Sequence, residues 1–312
     1  MTKINLSKIR TYSLGRRQSK VNVEDFACIY RRGNSFRKFY QSLPNVLKAA
    51  DLRKVVAAVV ESKKKKKPVI LMMGAHVIKC GLSPIIIDLI ERKVITAIAL
   101  NGACIIHDFE LAFMGKTSED VDKAILDGSF GMADETSRFV NEAIKQAAHA
   151  NIGIGKAVGK AIEKDKRLKF KDLSVVYAAY KHNVPVSVHI AIGTDIVHQH
   201  MSCSGAAIGQ ASLKDFHNFI AEVAKLGDGG VLLNFGSAVV LPEVFLKALT
   251  VARNLGYKVK NFTTANFDMI YHYRPQQNIV HRPTQGTGKG YYIIGHHEIM
   301  MPLLAAAIID EL

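Results

Sequence analysis

The chain has 312 residues, enough for one large domain or two ordinary ones. Hydrophobic residues make up 48% and charged residues 22%, a globular balance that excludes a disordered or fibrous chain. The formal net charge of +15 is unevenly placed: residues 1–67 hold 18 Lys/Arg against 4 Asp/Glu, and the remainder holds 24 against 23. All 12 histidines fall in that balanced part, so the basic character and the titratable chemistry are separated along the chain.

No stretch approaches the roughly 18 consecutive apolar residues of a membrane span, so none is expected. Met1-Thr2-Lys3-Ile4 leads into polar and basic residues instead of the apolar core of a secretory signal. Cys28, Cys80, Cys104 and Cys203 lie far apart without CxxC spacing. That pattern reads as reduced thiols in a cytoplasmic protein and not as a zinc site.

Residues 1–50, rich in Arg, Ser, Asn and Tyr, are weakly periodic and read as an arm. Residues 51–62 predict an amphipathic helix with Leu52, Val55, Val56 and Val59 on one face. Lys63–Lys67 follow, and Pro68 stops the helix. Five consecutive lysines suit nucleic acid or an acidic surface, but cations at a helix C-terminus are favoured in any case. The expected division is a basic arm and helix over 1–67 and an α/β domain over 68–312.

From Pro68 strands and helices alternate. The strands are expected at Val69–Met73, Ile95–Leu100, Val186–Ile192, Val231–Phe235, Val259–Thr264 and Tyr291–Ile294. Helices are expected over about 83–94, 107–165 (broken at Gly128, Gly131, Gly153 and Gly155), 173–182, 213–226, 243–255 and 297–310. This order predicts an open parallel, Rossmann-like sheet covered by helices on both faces.

Ligands of such sheets bind beyond the carboxyl ends of the strands. The six exits read Gly74-Ala75-His76, Asn101-Gly102-Ala103, Gly193-Thr194-Asp195, Gly236-Ser237-Ala238, Thr264-Ala265-Asn266 and Gly295-His296-His297-Glu298. Small residues permit close approach of a ligand, and a polar side chain accompanies them at every exit. Gly286-Thr287-Gly288-Lys289-Gly290 lacks the spacer and Ser/Thr of a P-loop, and it precedes a strand where a P-loop follows one. It reads as a surface loop. His198, His200, Asp195, His296, His297 and Glu298 offer metal-ligand chemistry, but without HExxH or a similar spacing no metal is expected. Asp108 serves equally as a ligand contact or as a helix cap.

These exit motifs resemble those of the deoxyhypusine synthase family over most of residues 70–310. The segment from Gly74 to Gly81 is similar to the family's Gly-Ser-Asn cofactor segment, and Asn101-Gly102-Ala103 with Asp108 to its Thr-Ala-Gly-Gly stretch and trailing acidic pair. Gly193-Thr194-Asp195 resembles the start of Thr-Asp-Gly-Ser, Gly236-Ser237-Ala238 with Pro242 the glycine-rich turn, and Thr264-Ala265-Asn266-Phe267-Asp268 its Thr-Ala-Gln-Glu-Phe-Asp. Met301-Pro302-Leu303-Leu304 matches the family's end. The first two motifs also resemble the NAD-dependent ornithine cyclodeaminase-type domain of certain arginine-degrading enzymes. The family's Trp-Gly-Lys, whose lysine forms a covalent imine, is absent; the nearest counterpart is Val280-His281-Arg282-Pro283. A guanidinium stays protonated and is no amine nucleophile.

The resemblance implies NAD as cofactor, a small amine or amino acid (polyamine- or ornithine-like) as substrate, and a homotetramer. The implied reaction is oxidation to an imine, followed by transfer, deamination or re-reduction. Gly74, His76, Asn101, Gly102, Ala103, Asp108, Thr194, Gly236, Ser237, Thr264 and Ala265 are the expected cofactor contacts. Asp195 and Asp268 are candidates for a cation or a ribose, His200 and His296 for acid–base work, and Lys79 or Lys289 for a replacement nucleophile. The alternative class is a non-catalytic NAD-binding or nucleic-acid-docking module that uses the basic arm.

Overall fold

The computed structural model describes residues 4–312; Met1–Lys3, part of the start read as lacking a secretory signal, lie outside the described residues. The chain forms two compact units that meet between Ala50 and Asp51. The helix assigned above to the arm therefore falls almost wholly in the larger unit. In the smaller unit, three 3-10 turns (Leu6–Lys8, Leu14–Arg16, Val23–Asp25) precede helix α1 (Phe36–Ser42). Ser35 caps α1 by accepting from the Lys38 amide at 3.4 Å, and the Phe36 and Tyr40 rings stack along it.

The larger unit is built on six parallel strands: β1 (Val69–Met73), β2 (Ala97–Asn101), β3 (Val186–His189), β4 (Val231–Phe235), β5 (Thr263–Asp268) and β6 (Lys289–Ile294). They lie in the order β3-β2-β1-β4-β5-β6. The central pair is buried along its whole length, as its uninterrupted apolar sequences require.

Helix α2 (Leu47–Lys64) precedes β1. Helices α3 (His76–Lys79) and α4 (Ser83–Glu91) join β1 to β2. Five helices lie between β2 and β3: α5 (Gly102–Met114), α6 (Val121–Asp127), α7 (Asp134–His149), α8 (Ile154–Lys164) and α9 (Val175–Lys181). Then come α10 (Gly205–Val223), α11 (Val240–Asn254), the single turn α12 (Tyr273–Pro275) continued by a π-helical turn Gln276–His281, and α13 (His297–Glu311).

Alternation along the strands sorts the two faces. Val69, Leu71, Leu233 and Phe235 meet Val59 of α2, Ile86 of α4 and Leu304 of α13 around an interior void of about 20 Å³. On the opposite face Ile70, Met72 and Leu232 pack with Phe219 of α10 and Phe245 of α11. The helices leaving β1 and β4 thus depart to opposite faces.

Four strands differ from expectation: β2 starts two residues later than Ile95, β6 two residues earlier than Tyr291, and β3 and β5 differ more. β5 is found four residues later than Val259–Thr264, because apolar Val259 and Phe262 fill the core ahead of the strand, where Asn261 turns the backbone at a φ of 56°. β3 stops at His189 instead of Ile192. Packing explains the glycines entering β6: a Cβ at Gly288 would lie 2.9 Å from the Phe262 carbonyl oxygen, and one at Gly290, already in β6, 2.0 Å from the Val280 carbonyl oxygen.

Buried aspartates hold the insertion between β2 and β3. Asp108, fully buried, accepts from the Ser174 hydroxyl and from the Val175 amide at 2.7 Å, satisfying the start of α9. This corrects the expectation that Asp108 contacts a cofactor: its carboxylate is inside, committed to a helix end. Asp215 does the same for α8, accepting from Gly155 at 3.1 Å while also holding Val188 of β3 at 2.9 Å. Burial pushes both carboxyls up to about 6 against the opposing pull of these hydrogen bonds.

An unfolded aspartate titrates near 3.9 or about that. Between about 4 and about 6 the folded state holds the proton more tightly, so this contribution to stability falls as pH rises. Urea unfolding of the native protein and Asp108→Asn should show a stability difference that shrinks across this window, by up to about 3 kcal/mol. A difference that grows with pH would mean that Asp108 is ionised throughout.

Candidate active site at the carboxyl edge

The strand order reverses between β1 and β4, and their helices diverge, so a crevice opens at their carboxyl ends. The two exits are pressed together. The Gly74 amide donates to the Phe235 carbonyl at 2.9 Å, and a Cβ on Gly74 would lie 2.6 Å from the Gly236 carbonyl oxygen. Gly236 has a φ of +66°, and a Cβ there would lie 2.5 Å from Nε2 of His297. Only glycine fits at either position.

His297 is the residue that this geometry brings forward. It opens α13 and is 3% exposed, while its neighbour His296, the expected acid–base group, is the cap residue and points outward with a 64% exposed side chain. The His297 ring lies 5.8 Å from that of His76 and 5.9 Å from that of Phe235. Its Nδ1 is buried and has no hydrogen-bond partner among the described residues. Burial, reinforced by His76 and His296, lowers its pKa, although Asp268 and Glu298 pull the other way. A neutral imidazole with a buried, unpaired nitrogen results.

Asp268 ends β5 beside it, 5% exposed, with its Oδ1 accepting from the Met269 amide at 2.8 Å and Oδ2 3.8 Å from Nε2 of His272. Cys80 approaches Glu298 at 3.7 Å, and its thiol is pushed up by burial and then by that carboxylate. Below this group runs a polar track across two strands: Asn234 Nδ2 donates to Asn266 Oδ1 at 2.6 Å and to the Ser237 carbonyl at 3.0 Å. Ser237 itself caps α11, its hydroxyl oxygen accepting from Leu241 at 3.3 Å.

A second group forms at the ends of β2 and β3. Asn101 caps α5 by accepting from the Cys104 amide, and Gly102 and Ala103 form its first turn. Asp195 folds back over that turn, so that a Cβ on Gly102 would lie 1.9 Å from its Oδ2. Burial raises the Asp195 pKa, against His198 and His107. His198 Nδ1 accepts from the amides of Gly193 and Asp195 at 3.1 and 3.2 Å, which fixes the proton on Nε2. Thr194 is exposed and bonds back to the Ala191 carbonyl at 2.7 Å.

Other candidates lie elsewhere. Thr264 and Ala265 sit near the start of β5, fully buried, and the Thr264 hydroxyl donates to the Ile279 carbonyl at 2.7 Å. The four-residue shift of the strand removes both from the edge. His200 joins Ser202 at 2.7 Å and Asp134 of α7 at 3.1 Å, away from His296. Lys289 begins β6 at the opposite edge of the sheet, which removes it as a nucleophile for this crevice. Lys79 is exposed at the end of α3. Among the described residues no group of three or more His, Cys, Asp or Glu could hold a metal ion.

No protein-family model matches the sequence, and no curated protein matches it. The fold is shared with solved structures. A protein assigned as a deoxyhypusine synthase from Entamoeba histolytica superposes with a TM-score of 0.54 at 10% identity, covering 91% of this chain and 96% of that one. The ternary complex of AgrE with ornithine and NAD+ gives 0.53 at 12% identity over 84% of this chain. This chain spans about a third of AgrE, 33% of its length. At such identities the likeness is one of fold.

Gly236→Ala should cost about 1–3 kcal/mol through the left-handed backbone alone, and displace His297 besides. Urea unfolding and the NMR titration of the His297 ring would record both. A stable variant with an unchanged His297 titration would contradict the contact.

Proposed function

We propose that this chain is an NAD-dependent enzyme that oxidises a small amine or amino acid to an imine. The observation that carries this reading is a buried neutral imidazole, His297, beside a buried carboxylate, Asp268, at the point where the strand order reverses. The neighbour AgrE, whose complex contains ornithine and NAD+, and the neighbour assigned as a deoxyhypusine synthase support the cofactor and substrate class.

The residues present fit a dinucleotide. Gly74 and Gly236 carry no side chains at the switch point, His76 flanks it, and Asn101, Gly102, Ala103 and Thr194 continue the edge toward β3. The Asp195 carboxylate over Gly102 disfavours a phosphate there and suits ribose hydroxyls, which donate hydrogen bonds. Bound NAD supplies a hydride acceptor for the carbon that bears nitrogen.

The chain's own groups do the rest. Asp268 holds the substrate ammonium by charge, and the unpaired nitrogen of His297 takes the proton that leaves nitrogen as hydride leaves carbon. The product is a free imine, since the sequence has no Trp-Gly-Lys lysine to capture it: the nearest counterpart is Val280-His281-Arg282-Pro283, and Arg282 donates to Asn278 Oδ1 at 2.8 Å. Hydrolysis, attack by a second amine or re-reduction can then follow.

NAD should raise the melting temperature, and polyamines or basic amino acids should then generate NADH. His297→Asn should lower kcat by about 10²–10⁴-fold with the NAD shift retained, whereas Asp268→Asn should act mainly on KM for the amine. Because His297 titrates below the ordinary imidazole value, activity should persist on the acid side of that value. Borohydride should leave no substrate adduct on the protein. Absence of any NAD-induced shift, or a trapped adduct on Lys79, would overturn this reading.

A further inference from the structure

At the amino edge of the sheet, opposite the crevice, lies a basic trough. One hollow of about 960 Å³ is lined by Lys65, Lys66 and Lys67 from the end of α2, Lys93 after α4, Lys225 after α10 and Lys258 before β5. It adjoins a second hollow of about 730 Å³, which shares Asn183, Pro185 and Glu222 with it and adds Lys156, Lys181 and the ring of Tyr180. Acidic residues are few: Asp228, Glu222 and Glu163. Glu222 is already paired with Lys225 at 2.7 Å.

Every helix of a parallel sheet ends at this edge, and a single cation at each helix end answers the helix dipole. That explains Lys93, Lys181 and Lys225. It does not explain the unbroken run past the end of α2, which is pinned in place: Lys67 Nζ donates to the Gly227 carbonyl at 2.9 Å, and the Lys66 backbone takes a φ of 54°. Lys65 and Lys66 are both exposed on this run, Lys65 with its Nζ 3.1 Å from Glu61 Oε1.

We propose that this trough binds the phosphodiester backbone of a single-stranded nucleic acid. Its concave shape does not suit a flat bilayer. Two joined hollows under three strand ends exceed what one phosphate needs. Lysines acting as mobile point charges suit a repeating phosphate chain without base readout, and the half-buried Tyr180 ring offers a stacking surface. The trough and the proposed dinucleotide crevice lie at opposite edges, so the two functions are separable.

The test uses the full chain and a labelled 12-nucleotide oligo-dT, with fluorescence anisotropy measured over a range of KCl. The basin variant Lys65→Glu/Lys66→Glu/Lys258→Glu should weaken binding at least tenfold and flatten the salt slope by about 2, since each single-strand phosphate contact contributes about 0.7. The milder Lys65→Gln/Lys66→Gln/Lys258→Gln keeps the test valid if charge reversal impairs folding, and should flatten the slope equally. An arm variant, Arg16→Glu/Arg17→Glu/Arg31→Glu/Arg32→Glu, should retain most of the binding, and the NAD-induced melting shift should be unchanged in the basin variants. Loss of binding in the arm variant alone, no binding by the native protein at low salt, or basin-dependent binding to phosphatidylserine vesicles but not to oligo-dT would each overturn the proposal.

Discussion

The close approach of the β1 and β4 exits is the constraint on which the remaining geometry depends. Gly74 touches Gly236, and Gly236 in turn touches His297. A side chain at either glycine would force the central strands apart or push α13 off the sheet. The divergence of α4 and α11 to opposite faces then leaves the crevice open above this contact instead of roofed by a helix. Burial of His297 follows from the same contact, because a ring lying against glycine backbone between Phe235 and His76 has little access to water.

Around this centre the polar groups of the carboxyl edge divide by role. Asp108 and Asp215 are long-range caps that fasten α9 and α8, and their burial serves stability. Asp195 also lies over a helix start, but half-open, its carboxyl pKa raised by burial. Asp268 ends a strand and faces His297. Two of these aspartates cap helices, one lies over a helix start and one ends a strand. Only their tertiary partners separate the capping carboxylates Asp108 and Asp215 from those at the carboxyl edge of the sheet.

Much of the fold was legible from residue pattern. Val69–Met73 and Val231–Phe235 are continuous apolar runs, and both are strands over those residues, because strands buried on both faces need no polar alternation. β5 was misplaced since Thr264, Asn266 and Asp268 look like an exposed loop. They are in fact buried on the α11 face, where Thr264 is bonded to Ile279 and Asn266 to Asn234. The site was legible only as a set of exits. Of the pair His296-His297 the sequence reading took His296 for acid–base work, whereas at the start of α13 the cap residue His296 turns outward and His297 inward. His198 was grouped with Asp195 in the sequence, but His107 was not, because the loop that folds Asp195 back onto α5 leaves no periodic signal. Asp108 was ambiguous between ligand contact and cap, and only its distant partners Ser174 and Val175 decide between them.

The most direct test of the central claim, a dinucleotide crevice at the β1–β4 switch, is amide hydrogen exchange with and without NAD. Protection should appear in the segments that leave β1, β4 and β6, around residues 74–82, 236–243 and 295–301, with the amino-edge segments 63–67 and 225–230 unchanged. Protection confined to the amino edge, or none at saturating NAD, would contradict it.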